Sequence, residues 1–66
     1  MQRFTILCRM MTLPKPMPIG EAASPADAVR IARAFTAQGK RDVQIGDRES
    51  ESYSPTEEFA AKHGVR

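Results

Sequence analysis

The chain has 66 residues, a formal net charge of +2, one cysteine and one histidine. One domain is the most such a length supports, and a domain this small buries only about 60% of the surface its unfolded chain exposes. An internal disulfide is excluded by the single cysteine, and a Cys/His zinc site within one copy by that cysteine and a lone histidine. No run approaches the roughly 18 apolar residues of a membrane span. The chain starts at Met1 with a charged, strand-like stretch rather than an apolar signal core, so a cytoplasmic protein is expected.

Residues 2–12 alternate. Phe4, Ile6, Cys8 and Met10 point one way and Arg3, Thr5, Leu7, Arg9 and Met11 the other, the period of a strand with one buried face. Leu7 and Met11 on the second face predict that it too is covered, by a neighbouring molecule. Pro14, Pro16 and Pro18 follow at alternate positions. Each lacks a backbone donor, so residues 13–20 are expected to form a stiff extended connector and not a central strand. Their spacing of two lacks the PxxP pattern of proline-rich ligands.

The stretch from Ser24 to Gly39 reads as the main helix. Ser24 is placed to cap it, Pro25 suits the first position, and Asp27 favours the positive end of the helix dipole. Ala28, Ile31, Ala32 and Phe35 recur at i, i+3, i+4 and i+7, with Val29 on the flank. Two alanines on that stripe suggest close packing on a sheet. Phe35→Ala is accordingly expected to cost about 3–5 kcal/mol, and Arg33→Ala to be nearly silent. Gly39 ends the pattern.

Val43 and Ile45 mark a second strand over 42–47, where Gly46 signals a bulge or the strand end. Residues 51–53 suit either a returning third strand or a loop. Ser54, Pro55, Thr56 and Glu57 resemble a capping box, and a second helix is expected to run from there to His63 and stop at Gly64. The resulting fold class is α+β: a single domain over residues 1–66 in the order β-α-β-(β)-α, with the main helix on a two- or three-stranded sheet. If the first two strands were parallel, their crossover would be right-handed. The expected core is Phe4, Ile6, Cys8, Met10, Ala28, Ile31, Ala32, Phe35, Val43, Ile45 and Phe59.

Chemistry is harder to find. Cys8 lies on the apolar face of the first strand, which suits a small core residue better than a nucleophile. His63 stands in the last turn of the second helix, where a cation suits the dipole, and it has no orienting partner. Asp47, Glu49, Glu51, Glu57 and Glu58 lack the calcium-loop pattern and read as solvated surface. The four glycines are isolated and make no phosphate loop. No catalytic, cofactor-binding or metal-binding residue is therefore assigned, and no cofactor is expected.

Two functions remain. The first is a non-enzymatic protein-interaction module, acting as a homodimer or a subunit of a larger complex. It is favoured by the small core, by Leu7 and Met11, and by the opposed charge of residues 1–46 (seven Lys/Arg, three Asp/Glu) and residues 47–66 (three and five). The second is a small basic nucleic-acid-binding accessory protein using Arg30, Arg33, Lys40 and Arg41, with Arg3 and Arg9 as further cations. Aromatic residues for base stacking are scarce, Tyr53 being the one expected to lie free.

Overall fold

A computed structural model of the chain describes residues 2–9 and 15–66. The elements are β1 (Phe4–Arg9), β2 (Met17–Ala22), α1 (Pro25–Ala37), β3 (Arg41–Asp47), β4 (Ser52–Pro55) and α2 (Thr56–Lys62). All four strands join one antiparallel sheet in the order β2-β1-β3-β4. The protein is an α+β domain, as the alternation of periods predicts.

The order differs from expectation by one strand. Residues 17–22, which begin within the expected connector over 13–20, pair with β1, with a register shift between Ile6 and Leu7, while Leu13 and Pro14 lie outside the described residues. The proline rule keeps its force, because β2 is an edge strand, and an edge strand uses only one side of its backbone for the ladder. The same addition removes the anticipated parallel crossover. β1 and β3 are antiparallel neighbours, and α1 instead carries the chain from β2, on one side of β1, to β3 on the other. A third strand over 51–53 is present as β4, displaced slightly to Ser52–Pro55.

Both helices cover one face of the sheet. Phe4, Ile6, Cys8, Val43 and Ile45 from β1 and β3 bury their side chains against Ala28, Val29 and Ala32 of α1 and Phe59 and Ala60 of α2. Phe4 and Phe59 meet edge to face at 5.6 Å, a favoured geometry for two aromatic rings. The buried stripe of α1 is rotated from the expected one. Val29, placed on the flank by the sequence, is 1% exposed, whereas Ile31 and Phe35 are only partly buried. The reason is β2: Ile31 and Phe35 reach over the sheet edge onto Gly20, where a methyl group would stand 3.3 Å from Phe35 Cε2 and 3.5 Å from Ile31 Cγ2. Met10 and Met11 lie outside the described residues.

The helix ends show which local signals win. Ser24 Oγ accepts the Asp27 amide at 3.2 Å, as its position predicts. Gly39 follows α1 with a φ of 93°, a conformation that glycine adopts without strain. At α2 the expected serine cap fails. Ser54 is held in the β3–β4 ladder opposite Ile45, so the helix begins at Thr56 with Pro55 as its capping residue and no side-chain cap. Thr56 instead donates its hydroxyl to the buried Val43 carbonyl at 3.0 Å, fastening the start of α2 to β3.

Candidate interaction surface

The face of the sheet turned away from the helices is built by alternation. With Phe4, Ile6 and Cys8 committed to the core, Thr5 and Leu7 must point outward, and the register adds Gln44 and Gly46 of β3 and Tyr53 of β4. Leu7 is 9% exposed and belongs to no part of the helix-side core. Its cover is on the outer face. Tyr53 sits opposite Gly46, and a methyl group at Gly46 would come within 2.7 Å of Tyr53 Cε1 and 3.5 Å of Leu7 Cδ1. The glycine thus leaves room for the tyrosine ring to lie against the sheet, beside Leu7.

Two shallow hollows flank this ridge. One, of about 510 Å³, is bordered by Thr5, Pro18, Arg48 and Glu51; the other, of about 350 Å³, by Lys15, Pro16 and Gln44. Leu7 and Tyr53 line both. Tyr53 remains 65% exposed, the most open large apolar side chain among the described residues.

Charge divides along the strands. Arg9 ends β1, Arg41 begins β3 as its register partner, and Lys15 and Lys40 stand just before β2 and β3. Among the described residues only Arg9 of this group has a carboxylate nearby, Asp42 at 3.9 Å. The opposite end carries Glu21, Asp47, Glu49 and Glu51 with Arg3 and Arg48. There the cations are already engaged: Arg3 binds Asp47 through both carboxylate oxygens at 3.2 Å and also reaches Glu49, while Arg48 meets Glu21 at 3.3 Å. The Arg3 guanidinium, aided by the Glu49 amide, holds the buried Asp47 carboxyl below its ordinary range against the opposing effect of burial.

The four residues singled out for nucleic acid separate into two places. Arg30 donates to Asp27 at 2.9 Å on the outside of α1. Arg33 grips Glu57 of α2 with bonds of 3.0 and 2.8 Å and the Arg66 carbonyl at 2.8 Å, so it ties the two helices together. That bidentate contact lowers the Glu57 pKa and raises that of Arg33. Lys40 and Arg41 stand apart from these, at the basic end of the sheet.

Cys8 and His63 both touch apolar neighbours. Cys8 is buried in the core. His63 stacks against Phe59, with ring centroids 4.2 Å apart. A small hollow of about 140 Å³ beside it is lined by Ser50, Ser52, Ser54 and Lys62, and Ser50 and Ser52 share a hydroxyl hydrogen bond of 2.7 Å. Among the described residues no three His, Cys, Asp or Glu side chains gather to hold a metal, and no helix is long and apolar enough to cross a membrane.

The Gly46–Tyr53 contact escaped the sequence reading, although an isolated glycine inside a strand signals close approach by another group. Comparison with family models, curated proteins and solved structures finds no match for this chain.

Proposed function

We propose that this protein is a non-enzymatic interaction module, working as a homodimer or as a subunit of a larger complex, with the open face of its sheet as the contact surface. One observation carries the reading. Both helices pack on one face, yet the other presents Pro18 and an exposed Tyr53 around shallow hollows floored by Leu7. Aromatic residues in such a position supply contact area at low cost in side-chain freedom. A cytoplasmic setting belongs to the same proposal. Thermal unfolding tests it: a protein that folds with its partner copy melts at a temperature that rises with its own concentration, and a melting point independent of concentration over the micromolar range would count against the homodimer.

A nucleic-acid-binding accessory protein is the second reading. In its favour, Arg41 pairs with Arg9 across the ladder, Lys40 and Lys15 stand at the same end of the sheet, and among the described residues one carboxylate, Asp42, lies within ion-pair distance of this group. Arg30 and Arg33 add less, since Asp27 and Glu57 already neutralise them. Binding that weakens steeply with salt and falls on replacing Lys40 and Arg41 with alanine would favour it. No binding in low-salt buffer would remove it.

A further inference from the structure

The division of charge along the strands has a consequence for how two copies would meet, and it rests on the homodimer reading above. Small assemblies of identical chains close by a two-fold axis, which brings the same patch of each copy together. For two sheets packed face to face, that axis must lie in the plane between them. Its two limiting directions are along the strands and across them.

The two choices differ in which ends meet. An axis along the strands lays basic end on basic end, setting Lys15 and Arg9 of one copy near Arg41 and Lys40 of the other. An axis across the strands reverses one sheet, so each basic end covers an end that stays net negative after Arg3 and Arg48 are set against Glu21, Asp47, Glu49 and Glu51. Like charges facing each other disfavour a contact, and complementary ones select its orientation. We propose that the open sheet face binds a second copy of this chain about a two-fold axis running across the strands, with Arg9, Lys15, Lys40 and Arg41 of each copy over Glu21 and Glu51 of the other.

Shape agrees with charge. Reversal about such an axis keeps each strand over its own counterpart, β2 on β2 and β4 on β4. Leu7, covered within its own chain, lies in mid-strand and marks where the axis crosses β1. Tyr53 lies on the acidic side of mid-strand, opposite Gly46, so the second copy's Tyr53 falls on the basic side, toward Gln44 and the hollow of about 350 Å³. Lys15, just before β2, comes to lie over Glu21 near the end of the second copy's β2.

Charge reversal at Lys15 and Glu21 separates the alternatives. The dimer dissociation constant is measured by sedimentation for the wild type, Lys15→Glu, Glu21→Lys and the double variant, with circular dichroism confirming the fold of each. The axis across the strands predicts that each single variant weakens the dimer at least about tenfold and that the double variant recovers most of the loss. It also predicts wild-type dimerisation that weakens as salt rises. A wild-type dimer that Lys15→Glu strengthens or leaves unchanged overturns this arrangement while leaving the homodimer reading intact. A monomeric wild type overturns the homodimer reading and this arrangement together.

Discussion

The ring of Tyr53 occupies the space that a side chain at Gly46, its neighbour across the β3–β4 ladder, would need: a methyl group there would stand 2.7 Å from Cε1 and 2.8 Å from Cδ1. Gly46→Ala should therefore push the ring off the sheet and cost about 1–3 kcal/mol. In a Tyr53→Ala background the same substitution should be neutral or mildly stabilising, since alanine suits a strand better than glycine. A double-mutant cycle by urea unfolding measures the coupling. Additive effects would mean that the ring does not depend on the glycine.

The core prediction concerns Phe4, which is 1% exposed and packs against Phe59. Phe4→Ala should cost about 3–5 kcal/mol, most of the stability available to a domain of this size. Phe35→Ala should cost less than its helical position suggests, about 1–2 kcal/mol, because the ring is only partly buried, against Gly20 at the sheet edge. Chemical denaturation of both variants checks the order. An equal loss in the two would show that the edge contact matters as much as the core.

Helix periodicity explains why that order was not legible in advance. The spacing of Ala28, Ile31, Ala32 and Phe35 identifies α1 and its capped start, and the alternation around Phe4 and Val43 identifies β1 and β3, because these signals are local. Which side of α1 lies deepest depends on β2, and β2 was hidden by Pro18 and the prolines that precede it in the sequence, whose missing donors read as a break. Their effect on a sheet depends on whether the strand is at the edge, which no local pattern reports. The cap of α2 shifted for a similar reason: Ser54 is held in a ladder with Ile45, nine residues back in sequence and invisible to a capping motif. For the surface, Leu7 and Tyr53 were legible from alternation and scarcity. The charge division was only half visible, since the structure sorts charges by strand end, placing Glu21 with Asp47 and Glu51 despite their separation in the chain.

Acid should weaken the fold through Asp47. Its carboxyl is held below the ordinary range chiefly by hydrogen bonds from Arg3, with the Glu49 amide assisting. A carboxylate depressed in the folded state contributes stability that is fully present above the unfolded value of about 3.9 and is lost as pH falls through the lower folded value. Glu57, lowered by Arg33, acts in the same direction. Asp47→Asn should lower the melting temperature at pH 7 and reduce its further drop between pH 5 and pH 3, by about the one titrating group removed. An unchanged acid dependence would place the sensitivity elsewhere.

Arg33 should matter to the second helix more than its place on the outer side of α1 implies, because it joins Glu57 and the Arg66 carbonyl to α1. Arg33→Ala should speed amide hydrogen exchange in α2 while leaving β1 and β3 protected. Uniform exchange rates in variant and wild type would return Arg33 to a silent surface position.

The central claim is that the open sheet face joins two copies of this protein, and sedimentation of the wild type beside Tyr53→Lys at micromolar concentration tests it most directly. A dimeric wild type and a folded, monomeric Tyr53→Lys is the predicted result. Wild type and variant sedimenting alike, whether both as monomers or both as dimers, would contradict it.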